Sequence, residues 1–151
     1  NNKKISKKDF KKFHPSGSLG AKLKTVEDIM LTKQKIPFIS GDAEMKDALK
    51  MITQKKLGTL IVRDKRGNTM GIITDGQIRR MNQKKKFSYT MKVREIMTQN
   101  PIKVTKEMLA IKALSIMNQN KITCLCVNQI SKKNRTIGII HIHNILENNI
   151  S

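Results

Sequence analysis

Tryptophan is absent from these 151 residues, tyrosine occurs once and phenylalanine four times, so aromatic side chains make up only 3% of the chain. Stacking platforms for single-stranded nucleic acid are hard to build from so few rings. Long apolar runs are missing as well. No stretch approaches the roughly 18 apolar residues of a membrane helix, and no charged-then-apolar leader opens the chain. Acidic residues are scarce, 11 against 31 Lys and Arg, which gives a formal net charge of +20. Such a balance attracts nucleic acid, anionic lipid or phosphorylated ligands. Only six of the 31 are Arg, however, and Lys, Asn and Ile abound together, the mark of a genome-wide composition bias. Cysteine occurs twice, as Cys124 and Cys126. Positions so close on one strand rarely form a disulfide and fit a reducing compartment, which we take to be the cytoplasm. The chain opens on Asn, which fits a piece of a longer polypeptide.

What the sequence does contain is a repeat. Met70-Gly71-Ile72-Ile73-Thr74-Asp75-Gly76-Gln77-Ile78-Arg79-Arg80 reads as a strand handing over to a helix. A strand end abutting a helix start presents unpaired N–H groups beside a short hydroxyl, an arrangement that favours a bound anion. The Gly-Ile-Ile core returns 67 residues later as Gly138-Ile139-Ile140-His141-Ile142-His143-Asn144, and Val26-Glu27-Asp28-Ile29-Met30 returns at the same offset as Val93-Arg94-Glu95-Ile96-Met97. Between these anchors the offset is 65: Leu57 to Val62 falls on Ile122 to Val127. The two extra residues sit between Asn128 and Thr136, where a loop tolerates them.

Taken in order, residues 1–24 form a lysine-rich tail and a Pro- and Gly-punctuated loop, with a short helix expected between Leu19 and Leu31. Ile36 to Ile39 is a short strand, and Ser40-Gly41-Asp42 supplies a turn and helix cap. Met45, Ala48, Leu49 and Ile52 form an apolar helical stripe, Thr59 to Val62 and Thr69 to Thr74 a hairpin, and Gly76 to Asn82 a closing helix. Lys84 to Met91 is a basic connector. The second half repeats the order: strand Ile102 to Thr105 with Thr105 as helix cap, a helix through Met108, Ile111, Leu114 and Met117, a hairpin over Cys124 to Val127 and Ile137 to Ile140, and a helix from His143 to Asn149. The expected fold is therefore α/β (α+β), two β-α-β-β-α modules over 25–88 and 89–151. Pairing through their hairpin faces would give one shared core.

Modules of this length, opened by Val-x-x-Ile-Met and closed by Gly-hydrophobic-x-Thr-Asp-Gly, resemble a tandem of cystathionine-β-synthase (CBS) domains related by a pseudo-two-fold axis. The resemblance covers Thr25 to about Asn149. It implies a nucleotide cleft between the domains, with a Thr or Ser near the phosphates and, three residues later, an Asp on the ribose hydroxyls. Thr74 matches the first role, within a site that would also include Gly71 and Asp75. Gln77 stands in the second role without the charge. In the other module His141 replaces the Thr and Asn144 holds the ribose position, with His143 between them. An imidazole there suits an anionic ligand and titrates near neutrality. Arg79 and Arg80, within a turn of Thr74, are candidate grips for phosphate or carboxylate, against a plain reading as a solvated helix face.

Phe13-His14-Pro15-Ser16-Gly17-Ser18-Leu19-Gly20 further resembles the His-Pro-Gly-Gly-x-Leu-Gly segment that joins a sugar-isomerase (SIS) domain to the CBS pair in bacterial D-arabinose 5-phosphate isomerases, with Ser16 in place of the usual Gly. The resemblance implies a parent enzyme that interconverts D-ribulose 5-phosphate and D-arabinose 5-phosphate for the Kdo sugar of lipopolysaccharide. His14 would be catalytic there, in a homodimer or homotetramer with no cofactor. The lysine and carboxylate partners of such a site would lie in the SIS domain, so this chain alone is expected to be inactive. The CBS pair would regulate and oligomerise that enzyme, binding a CMP-linked sugar acid as feedback ligand. Two other classes are weighed against it: a free-standing adenine-nucleotide sensor, and a basic nucleic-acid module, disfavoured by the scarcity of aromatics. Finally, Cys124, Cys126, His141 and His143 alternate on neighbouring segments in a Cys2His2 pattern. No metal is expected from spacing alone, because a slip of one residue in hairpin register separates the pairs.

Overall fold

A computed structural model of the chain describes residue 20, residues 23–86 and residues 88–150; most of the 1–24 tail, with His14, lies outside the described residues. The elements are α1 (Val26–Ile29), a 3-10 turn (Lys33–Lys35), β1 (Phe38–Ser40), α2 (Met45–Lys55), β2 (Thr59–Arg63), β3 (Thr69–Thr74) and α3 (Asp75–Gln83). The second half runs α4 (Val93–Ile96), β4 (Thr98–Gln99), β5 (Lys103–Thr105), α5 (Ala110–Asn120), β6 (Cys124–Asn128), β7 (Gly138–His141) and α6 (Ile142–Glu147). β1 pairs parallel to β2 and β5 to β6, each across an intervening helix, while β2–β3 and β6–β7 are antiparallel hairpins. The β-α-β-β-α order expected from the repeat is present in both halves.

Helix α2 forms because Met45, Ala48 and Ile52 fall on one face and are buried against the sheet. Its cap differs from the sequence expectation at Ser40-Gly41-Asp42. Glu44 is the N-cap, its amide donating to Asp47 Oδ2 at 3.3 Å, whereas Ser40 Oγ accepts the Asp42 amide within the preceding turn. In the second module Thr105 is not the cap either. Helix α5 starts only at Ala110, after Leu109. Between them the chain makes a turn over Lys106 to Met108, and only Leu109 is held in a bridge by another part of the chain: Thr25 pairs with Leu109 and the Val26 amide donates to the Met108 carbonyl at 2.8 Å.

That last contact belongs to a reciprocal exchange. Helix α1 does not pack on the module that follows it. Val26 is fully buried among Val104, Ala110, Ala113, Leu114, Met117 and Ile145, all of the second module. Val93 and Ile96 of α4 are buried instead with Ile39, Met45, Ala48, Ile52, Leu60 and Ile73 of the first. Full burial of such a valine is worth about 1.5–3 kcal/mol, so each module core is completed by the other repeat's opening helix.

The strands carry the exchange onward. β4 adds to the edge of β3, with Gly71 beside Gln99 and Ile72 beside Thr98, and Leu31 bridges Ile139 of β7 in the same manner. This explains the glycine of each Gly-Ile-Ile core. A Cβ on Gly71 would collide with the Thr98 carbonyl and Met97, and one on Gly138 with Met30 and the Leu31 carbonyl. The Val-x-x-Ile-Met segment of one repeat thus lies against the glycine of the other, a close approach that only a missing side chain permits.

Beyond the two module cores, a third cluster of Ile36, Ile61, Cys126 and Ile139 joins the hairpin faces. The hairpin pairing expected from sequence therefore contributes a small bridging core between two larger ones. Residues related by the repeat meet across it. The hydroxyls of Thr69 and Thr136, 67 positions apart, lie 2.6 Å from one another, and the Thr59 hydroxyl bonds the sulfur of Cys124, its counterpart at offset 65. These contacts mark the pseudo-two-fold axis.

Candidate functional site

Where the modules face each other they leave a cleft of about 1000 Å³. Its walls are the entries to the two hairpins, Lys56 to Thr59 and Lys121 to Cys126, and the strand-to-helix junctions at Thr74–Gly76 and His141–His143. Asn100, Pro101 and Ile102, which leave β4, close one side. The walls are built alike in both repeats. The Asp75 amide donates to the Gly58 carbonyl at 2.8 Å, and the Ile142 amide donates to the Thr123 carbonyl at 2.8 Å. Each helix start is thereby tied to the loop ahead of the neighbouring strand.

At the first junction Thr74 caps α3, its Oγ accepting the Gln77 amide at 3.1 Å. A hydroxyl used as acceptor still has a proton to offer, here beside the electropositive end of a nine-residue helix. Arg80 lies back over Gly76, its guanidinium within van der Waals reach of where a Cβ would stand, so the missing side chain gives it room at the cleft wall. Arg79 behaves differently. It turns to solvent and pairs with Asp75 at 3.6 Å across one helical turn.

At the second junction His141 caps α6. Its Nδ1 accepts the His143 amide at 3.1 Å, and its own amide donates to Asn144 Oδ1 at 2.9 Å. The cap requires an unprotonated Nδ1, so the proton sits on Nε2. The His141 and His143 rings stack with centroids 4.8 Å apart. Burial, and next the neighbouring imidazole of His143, hold the His141 pKa below its ordinary value.

Of the residues singled out in the sequence, Thr74, Asp75, Arg80, His141 and His143 line this cleft. Gly71, Gln77, Arg79 and Asn144 do not. Gly71 receives the exchanged strand. Gln77 reaches the same segment, its Nε2 donating to the Ile96 carbonyl at 2.6 Å and its Oε1 accepting from Thr98 Oγ at 3.4 Å. Asn144 completes the cap of α6.

Sequence reasoning passed over Lys56 and Lys121, which occupy equivalent positions at offset 65 and both border the cleft. Each ends a helix in the left-handed conformation, at φ 59° and 55°. The available signal was a lysine recurring after an apolar helical stripe, hard to single out in so basic a chain.

Cys124 and Cys126 border the cleft with the two histidines. The register sets Cys124 opposite His141 and Cys126 opposite Ile139. Burial pushes the Cys124 thiol up to about 12 and the Cys126 thiol up to about 11, so both stay protonated at neutral pH. Among the described residues no three His, Cys, Asp or Glu side chains come together in a way that would hold a metal ion. Nor is any helix among them long and apolar enough to cross a membrane.

Comparison with known proteins agrees with the paired fold. The family model of the CBS domain matches residues 26–83 and again 93–150. The arabinose 5-phosphate isomerases KdsD of Yersinia pestis and of Francisella tularensis are each 36% identical to the chain, over 94% and 96% of it but only 43% and 44% of their own length. The chain thus spans less than half the length of these curated relatives. Among solved structures, CBSX2 in complex with AMP superposes with a TM-score of 0.73 over 82% of this chain and 94% of its own, at 22% identity.

Proposed function

This chain belongs to the CBS domain family, and we propose that it is the ligand-sensing regulatory pair of an arabinose 5-phosphate isomerase. The observation that carries the reading is the cleft itself. A volume of about 1000 Å³, walled alike by both repeats and edged by Thr74, Arg80, Lys56 and Lys121, is of a size and polarity for a nucleotide-like anion. The identity to isomerases across nearly the whole chain supports the parent activity, conversion of D-ribulose 5-phosphate to D-arabinose 5-phosphate. In that parent, His14 in the tail over 1–24 would serve the isomerase site, and the units over 25–88 and 89–151 would report the level of a pathway product. A CMP-linked sugar acid such as CMP-Kdo is the feedback ligand we favour. The chain by itself carries one histidine of that catalytic site and is expected to show no isomerase activity.

A second reading is an adenine-nucleotide sensor, favoured by the likeness in fold to a CBS pair solved with AMP. A thermal-shift screen at fixed salt against CMP-Kdo, CMP, AMP, ATP and zinc separates the two. Ligand at about a hundred times its dissociation constant adds roughly 2.7 kcal/mol to stability. A shift with the cytidine sugar alone is the expected outcome. A shift with AMP or ATP alone favours the adenylate sensor, and no shift with any of them leaves an assembly domain without a ligand.

A further inference from the structure

The polar groups around the cleft divide unevenly between donors and acceptors. Lys56, Arg80 and Lys121 border it from three separate elements, and among the described residues none of their charged groups makes an ion pair or hydrogen bond. The carboxylate at the wall, Asp75, is paired with Arg79. The amide oxygens nearest the two junctions are engaged by the protein, that of Gln77 by Thr98 and that of Asn144 by the His141 amide. Asn100 offers an amide on the linker side. Between these groups the wall is apolar, formed by Leu57, Ile72, Ile102, Ile122 and Ile139.

A vicinal diol is gripped best by a free carboxylate that accepts both hydroxyl protons, whereas a phosphate or carboxylate is gripped by cations and N–H donors. The free charged groups here are of the second kind, and no unpaired carboxylate is among them. Resting on the sensor reading above, we propose that the cleft selects a ligand with an apolar, ring-like body and at least one strongly anionic group, and leaves its sugar hydroxyls unread. Lys56 and Lys121 are the specificity-determining pair. Their place at equivalent helix ends brings one cation from each repeat to the same cleft, so a single bound anion is held by both modules and ties them together.

The left-handed backbone at these two lysines makes the test clean. Glycine adopts that conformation without strain, so Lys56→Gly with Lys121→Gly removes both charges while the unliganded fold becomes more stable, not less. Titration calorimetry on the 151-residue chain would use CMP, AMP, their 2′,3′-dideoxy analogues, the parent nucleosides, pyrophosphate and CMP-Kdo. For whichever monophosphate binds, the dideoxy form is expected within about threefold, and the uncharged nucleoside at least about tenfold weaker. Pyrophosphate, lacking the apolar body, is also expected to bind weakly. The double glycine variant should melt higher than the parent yet bind at least about tenfold more weakly. A loss of about tenfold or more with the dideoxy forms, or unchanged affinity in the double variant, overturns this inference and leaves the sensor reading standing. Failure of every compound to bind overturns the sensor reading and this inference with it.

Discussion

A single imidazole sets the chemical tone of the cleft. Position 141 needs a helix cap, and the first repeat meets the same need with the hydroxyl of Thr74, which does not titrate. The histidine caps only while Nδ1 is free of a proton, and its neighbours, the stacked His143 ring and the neutral Cys124 thiol opposite, offer no negative charge to stabilise imidazolium. Because the folded-state pKa is depressed, the unfolded chain binds the proton first as the pH falls. The His141 contribution to stability is therefore complete above the ordinary histidine pKa of about 6.5 and is lost as the pH falls through that value toward the lower folded pKa. Melting temperatures measured between about pH 5 and 8 should decline on the acid side in the parent chain. His141→Asn, which keeps a capping acceptor without the titration, should flatten that decline. An equal decline in the variant would place the pH dependence elsewhere.

At the level of elements, the exchanged helices carry opposite charges at their contacts. Glu27 of α1 pairs with Lys106 at 3.1 Å in the second module, while Arg94 of α4 pairs with Asp42 in the first. Were α1 to take the seat of α4 on its own module, Glu27 would meet the Asp42 carboxylate; Arg94 on the second module would meet Lys106 but also Glu107, the residue equivalent to Asp42 at offset 65. The charges thus disfavour the unexchanged seat of α1 more than that of α4, and at their exposure each pair is worth only about 0–1 kcal/mol. Arg94→Glu should lower unfolding free energy in urea by up to about 1 kcal/mol, and adding Asp42→Arg should recover much of the loss. If the second change gives no recovery, the pair carries no coupling and apolar packing alone directs the helices.

Over the whole molecule the exchange makes the modules interdependent. Residues 1–88 alone would bury α1 against nothing and leave the seat of α4 empty, and residues 89–151 alone would suffer the reverse. Neither half is expected to show a cooperative thermal transition as a monomer, and mixing the two should restore one, followed by circular dichroism. A monomeric half that melts cooperatively would show that the exchanged helix is dispensable. The same interdependence links the cleft to the fold. Asn100, Pro101 and Ile102 border the cleft directly after β4, which pairs with β3 and whose Thr98 bonds Gln77. A ligand pressing on that segment presses on the connection between modules.

Much of this was legible in the residues themselves. Alternation, apolar stripes and turn residues are local signals, and they marked both β-α-β-β-α modules and the junction at Thr74. The 67- and 65-residue offsets marked the pseudo-symmetry, which the Thr69–Thr136 hydroxyl contact makes physical. Three things were decided only in three dimensions. Which core receives Val26 or Val93 was hidden because the two opening helices are interchangeable in apolar pattern, and only long-range contacts distinguish their seats. That Arg80 faces the cleft and Arg79 does not depends on the rotation of α3 and on the bare Gly76 beneath the guanidinium. The engagement of Gln77 with Ile96 and Thr98 depends on where the end of α4 runs into β4, a strand that two residues are too few to announce. Local physics determined the modules; the meeting of distant segments determined which side chains are left free to hold a ligand.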